Sequence, residues 1–203
     1  MTRLRTDLDI GGFSIHPLAL SAHPWSPCES ITRLGVRAAL TPENRLTLSY
    51  TLAGDIQALL IPPRRPFRRV DQLWRHTCCE AFIGAPGTAA YWECNFSPST
   101  EWAIYRFRAY REGMGIGENA APLALSVASN ARRLDLSATL DLRQLPLTEG
   151  AGGFRLALSA VIEEVSGGIS YWALRHPPGQ PDFHHPAGFL LRLGDSASSA
   201  QAT

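Results

Sequence analysis

Apolar residues recur at every second position over most of this chain, and that period constrains the fold more than any other feature. Leu34, Val36, Ala38 and Leu40 form one such run, and Leu46, Leu48, Tyr50 and Leu52 form the next. Pro42-Glu43-Asn44 between them reads as a turn. Leu123, Leu125 and Val127 alternate, as do Leu134, Leu136, Ala138 and Leu140, with a hairpin break at Asn130-Ala131-Arg132. Phe154, Leu156, Leu158, Ala160 and Ile162 make a long strand that turns back at Ser166-Gly167-Gly168 into residues 169–174. Residues 55–61 predict a short strand, 141–147 one helical turn, and 189–193 the closing strand. No helix longer than about two turns fits the pattern. The prediction is an all-β fold, a two-sheet antiparallel immunoglobulin-like sandwich of about ten to twelve strands. At 203 residues the chain suits one such domain, over 1–194, with a disordered tail at 195–203.

Composition excludes several classes of function. The formal net charge is +1, so no strong field favours nucleic acid or a membrane surface. All 19 basic residues are Arg, scattered except for Arg64, Arg65, Arg68 and Arg69, which read as a solvated loop. The N-terminal stretch lacks the apolar core of a secretory signal, and no run reaches the roughly 18 apolar residues of a membrane helix. The expected location is cytoplasmic, with Cys28, Cys78, Cys79 and Cys94 as free thiols.

Chemistry concentrates in three strand-like runs, at 78–84, 91–97 and 102–109. Tyr91, Glu93, Asn95 and Ser97 share one side of the second run, opposite Trp92, Cys94 and Phe96. Pairing Ser97 with Trp102 sets Glu93 against Arg106, and pairing across 85–90 sets Glu80 beside Asn95 and Phe82 beside Glu93. Glu80, Glu93, Asn95 and Arg106 are then neighbours on one face. That face is either a solvated side with a cross-strand ion pair or a shallow polar floor for a small ligand. Trp74, just before the first run, and Phe183, in the last long loop, are positioned to wall such a floor.

At these residues the chain resembles the bacterial DOMON-like proteins, relatives of the family-9 carbohydrate-binding modules. The similarity runs through Leu73-Trp74, Cys79-Glu80-Ala81-Phe82-Ile83 and Tyr91-Trp92-Glu93-Cys94-Asn95-Phe96-Ser97-Pro98. It continues at Trp102-Ala103-Ile104-Tyr105-Arg106-Phe107, Gly113-Met114, His176-Pro177-Pro178, Pro181-Asp182-Phe183-His184-His185 and Gly188-Phe189. The resemblance implies an immunoglobulin-like sandwich and a sugar held between two aromatic rings while charged side chains bond its hydroxyls. Trp74 matches the first clamp tryptophan, Glu80 the strand glutamate and Asn95 a polar residue on the next strand. Two positions depart from the modules: Glu93 stands where they carry arginine, and Phe183 where they carry the second tryptophan. Arg106 is the candidate to supply the missing positive charge.

The function expected is non-catalytic binding of a small molecule, a carbohydrate or sugar derivative, by Trp74, Glu80, Glu93, Asn95, Arg106 and Phe183, with His176, His184 and His185 alongside. No cofactor is expected, and the oligomeric state stays open. One alternative is a haem module, since some DOMON relatives bind haem. It requires axial ligands from Met1 or Met114 and from histidines 16, 23, 76, 176, 184 and 185. Another is a glycosidase using Glu80 and Glu93, against which Arg106 would keep Glu93 ionised. A zinc site at His176, Asp182, His184 and His185 matches no standard spacing.

Overall fold

The computed structural model describes residues 13–14, 17–117, 120–147 and 153–194. The expected tail at 195–203, and with it Met1 and His16, lies outside the described residues. Among the described residues there are thirteen strands: β1 (Phe13–Ser14), β2 (Leu18–Ala22), β3 (Ile31–Leu40), β4 (Arg45–Gly54), β5 (Cys78–Gly84), β6 (Tyr91–Phe96), β7 (Trp102–Phe107), β8 (Gly115–Ile116), β9 (Pro122–Asn130), β10 (Arg133–Asp141), β11 (Phe154–Glu163), β12 (Ile169–Ala173) and β13 (Leu191–Leu193). Their pairings are antiparallel. Four 3-10 turns are the only helical pieces among the described residues. Residues 55–61, expected as a strand, hold one of them at Ile56–Ala58, capped by the Asp55 side chain on Gln57 N–H.

The strands do not divide into two separate sheets. Hydrogen bonds follow one path, β8-β7-β6-β5-β11-β12-β2-β3-β4-β10-β9. The seam is short: β12 meets β2 only through Trp172↔Ala22 and Ala173↔Ser21. This corrects the two-sheet expectation. The short segment Leu18–Ala22 precedes the first clear alternating run, and it bonds β12 on one side and β3 on the other. Around it the sheet curls until its halves face each other. Their inner faces share one core that includes Leu34, Leu48 and Leu136 from one half and Ile83, Cys94 and Leu158 from the other. Tyr50 crosses it, donating its hydroxyl to the Glu80 carbonyl at 2.7 Å. Full burial of each large apolar side chain contributes about 1.5–3 kcal/mol, so the alternation read from sequence is the main source of cohesion.

The half formed by β7, β6, β5 and β11 is also covered on its outer face. Leu73, Cys78, Phe82, Tyr91, Ala103, Tyr105, Phe107 and Ala157 make a second apolar cluster there, with Val70, Trp74, Phe183 and Phe189 packed on it. The covering comes from the segment before β5 and from the loop between β12 and β13. Phe189 lies over the Arg155 guanidinium at 4.1 Å, and that guanidinium bonds the Ala85 and Thr88 carbonyls. A loop pinned in this way closes off a face that a β-sandwich often leaves to water.

Candidate functional site

The outer face of β5, β6 and β11 carries the polar group predicted from sequence. Register sets Glu80 opposite Asn95 on one side and Ser159 on the other, and sets Phe82 opposite Glu93. Alternation along β5 sends Cys79, Ala81 and Ile83 to the main core, so Glu80 shares the outer side with Cys78 and Phe82. The expected shallow floor is in fact roofed: Glu80 is 2% exposed, Glu93 5% and Asn95 0%. The two loops packed over the sheet remove this face from solvent.

Arg106 does not join the group. In β7 it pairs with Trp92, while Glu93 pairs with Tyr105 and Asn95 with Ala103. The register is one residue away from the one predicted, and a slip of one transfers a side chain to the other face. The cause is the turn. Ser97 N–H bonds the Glu101 carbonyl, and Thr100 takes a left-handed conformation at φ 73°, so the chain reverses in three residues, Pro98-Ser99-Thr100, instead of four. Arg106 ends exposed. The argument that it keeps Glu93 charged therefore fails.

Glu93 is held otherwise. Its Oε1 accepts from the Asn95 side-chain amide at 2.7 Å. Its Oε2 faces His184 Nε2 at 3.6 Å, beyond a hydrogen bond. Burial raises the Glu93 carboxyl above its usual range, against the opposing pull of the Asn95 bond and of Arg111. Glu80 is raised further, by burial first and by repulsion from Glu93 second, with the Ser159 hydroxyl working the other way. Glu80 Oε1 and Ser159 Oγ are both buried with no partner in good hydrogen-bond geometry; the serine hydroxyl acts on the Glu80 carboxyl from across the strand pair without closing a well-formed bond. Unmet polar atoms on adjacent strands of a closed face are costly and call for a reason.

His184 is the link to the surface. Arg111 N–H donates to the Tyr91 hydroxyl at 3.2 Å, and that hydroxyl lies 2.8 Å from His184 Nδ1. With the Tyr91 proton on His184 Nδ1, the Nε2–H points at Glu93. Phe82, Tyr91 and Phe107 surround the imidazole edge-on at 5.0, 5.8 and 5.0 Å. Burial, aided by Arg111 and opposed by Asp182, lowers its pKa to about 4, so it is neutral near pH 7. Asp182 fixes the loop. It accepts from the Tyr110 hydroxyl at 2.5 Å, from Arg111 at 2.8 Å and from His184 N–H at 3.1 Å. Burial pushes against its ionisation, but the Tyr110 and Arg111 bonds prevail and hold it below the usual carboxylate range. Outside this link, Tyr110, Arg111, Gln180, Asp182 and His185 line an open depression of about 560 Å³ with three prolines of the same loop.

The aromatic walls stand on the same face without touching each other. Trp74, in the 3-10 turn Leu73–Arg75, packs edge-on against Tyr105 at 5.5 Å. Phe183 contacts Tyr171 at 6.0 Å and His176 at 6.4 Å. Both rings lean on the second cluster, half-buried. His176 Nε2 bonds the Ser21 carbonyl at 2.8 Å, away from Glu93, and its Nδ1 is buried without a partner. His185 Nδ1 accepts from Ala187 N–H, capping the turn Pro186–Gly188. The structure thus gathers Glu80, Glu93, Asn95 and His184, sets Trp74 and Phe183 around their cluster, and leaves Arg106 outside. Among the described residues no group of three or more His, Cys, Asp or Glu side chains is placed to hold a metal ion. Sequence reasoning missed Ser159, Asp182 as a loop anchor, Tyr110 and Arg111. Asp182 lay within the His/Pro loop that drew attention, whereas no spacing pointed to Arg111.

No family model matches the chain. No curated protein matches it either. Among solved structures it is similar to one from Bacteroides uniformis described as a "putative carbohydrate-binding protein", with a TM-score of 0.61 at 15% sequence identity, covering 86% of this chain and 84% of that chain. At that identity the likeness is one of fold.

Proposed function

We propose that the chain is a non-catalytic module that binds a carbohydrate or sugar derivative over the face of β5, β6 and β11, in the cytoplasm. Glu80, Glu93, Asn95 and Ser159 supply the polar floor, and Trp74 and Phe183 supply apolar walls for the C–H faces of a sugar ring. The observation that carries this reading is the unmet hydrogen-bonding capacity of Glu80 Oε1 and Ser159 Oγ, side by side between two aromatic-bearing loops. Hydroxyl groups are donors and acceptors at once and match both atoms. The resemblance to DOMON-like proteins and family-9 modules and the sugar-binding description of the structural neighbour support the same reading. Because the floor is roofed, the ligand enters by displacement of the His176–Gly188 loop. The same loop lines the open depression beside Tyr110 and Arg111.

Calorimetric titration with a panel of mono- and disaccharides tests this. Saturable heat with at least one sugar, reduced tenfold or more by Trp74→Ala, is the expected result. No heat with any sugar overturns the reading.

A further inference from the structure

The charges around the floor do not balance. On its two flanks each aspartate has its own arginine. Arg69 pairs with Asp71 at 2.6 Å, and Arg111 pairs with Asp182 at 2.8 Å. Asp71 also accepts from the Tyr105 hydroxyl at 2.6 Å, so that flank is closed by protein groups. Between the flanks, Glu80 and Glu93 sit on neighbouring strands at diagonal positions, about 7–8 Å apart at the backbone. Among the described residues neither makes an ion pair with an arginine. Arg106, on the adjacent strand, faces the other way. His184 is the basic group nearest Glu93, and it gives its Nδ1 to Tyr91.

The acceptors left open form a set. Glu80 Oε1 and Ser159 Oγ have no partner in good hydrogen-bond geometry. Glu93 Oε2 has only the 3.6 Å approach of His184, and Asn95 Oδ1 has only a thiol contact from Cys78 at 3.8 Å. Ser159 belongs to a third strand and is itself 2% exposed, so it is an independent pointer to something bound here. A neutral hydroxyl satisfies one acceptor and leaves the two carboxyl groups without a counter-charge. A primary ammonium has three N–H donors, no acceptor and one positive charge. It meets three acceptors at once and supplies the positive charge beside which Glu80 and Glu93 can both ionise.

We propose that the ligand of this face carries a protonated primary amine, the amine seated between Glu80 and Glu93, so that the preferred sugars are amino sugars. The proposal rests on the binding site described above. Burial and the neighbouring Glu93 hold the Glu80 carboxyl well above the usual carboxylate range in the empty site, and an ammonium beside it pulls it back down, so binding favours proton release. The other titratable and charged groups facing the pair are Cys78, Tyr91, Tyr105, His184 and Arg111. Near pH 7 Arg111 stays charged and His184 stays neutral, and the buried Cys78 thiol and the two tyrosines stay protonated.

The test compares D-glucosamine, D-glucose, N-acetyl-D-glucosamine and cyclohexylamine by calorimetry at pH 7, in two buffers of different ionisation enthalpy. The expected result is glucosamine bound at least tenfold more tightly than glucose or N-acetylglucosamine, with net release of protons. Glu80→Gln, checked for folding by thermal melting, brings the ratio within twofold, and Glu93→Gln is the second variant should the first not fold. Equal affinity for the three sugars overturns the amine and leaves sugar binding standing. Binding of cyclohexylamine without any sugar upholds the amine and removes the sugar. Binding of none removes both. A glucosamine preference that survives both variants overturns the assignment to Glu80 and Glu93.

Discussion

Asn95 faces Glu80 across β5 and β6, yet its side-chain amide donates along its own strand to Glu93, at 2.7 Å. One carboxylate is thereby held and the other is not. Glu80 is left with an unpartnered oxygen beside an unpartnered serine, on a face that two loops have closed. This asymmetry sets the behaviour expected of the site.

Glu80 should impose a stability cost that grows with pH. Its folded pKa is raised above the unfolded value, so the folded state holds a proton that the unfolded chain gives up. Stability contributed by the protonated group is complete below the unfolded pKa, near 4.5, and is lost as pH rises toward the folded value. Glu80→Gln removes that dependence. Urea denaturation should find the variant more stable than the parent at pH 8 and closer to it at pH 5. Equal differences at both values would contradict the burial argument.

His184 acts in the opposite direction. Its folded pKa of about 4 lies below the ordinary 6.5, so only the unfolded chain takes up a proton between those values. The contribution is full above pH 6.5 and declines as pH falls toward 4, by about 3 kcal/mol in all at 1.36 kcal/mol per pH unit. Denaturant melts from pH 7 to pH 4 should show this slope, and His184→Gln should flatten it.

Tyr50→Phe removes a hydroxyl that bridges the two halves of the curled sheet under Glu80. The loss should be about 1–2 kcal/mol, because a buried hydrogen bond goes while the ring volume stays. Chemical denaturation measures it. A neutral result would mean the Glu80 carbonyl is fully served by the strand ladder.

Arg106→Ala should change stability by less than about 0.5 kcal/mol and leave sugar affinity unaltered, since the side chain is exposed on the far face. Arg111→Ala should weaken binding, because it removes the ion pair that anchors Asp182 and the loop over the floor, while the backbone N–H bond to Tyr91 stays. If Arg106 proves the more damaging of the two, the register of β6 against β7 is wrong.

Gly54→Ala should destabilise by more than 2 kcal/mol, roughly the cost of overpacking combined with left-handed strain. Its φ is 153°, and an added Cβ would lie 2.1 Å from the Ser30 carbonyl oxygen. Thermal melting reads the effect directly.

The strands and their faces were legible because the period of two is local. Leu46, Leu48, Tyr50 and Leu52 declare a buried side without reference to any partner, and Cys78 and Cys79 fall on opposite sides as neighbours must. Pairing across 85–90 was also legible, which is why Glu80 was matched with Asn95 and Phe82 with Glu93.

What lay beyond the sequence was set by contacts between distant segments. A left-handed Thr100 shortened one turn and moved Arg106 to the other face. The segment Leu18–Ala22 bonded to β12 and made one sheet of two. The covering loops turned an expected open floor into a closed one. Periodicity tells each strand which side to bury. Register, closure and the environment of a carboxylate depend on which segment lies opposite, and only the folded chain decides that.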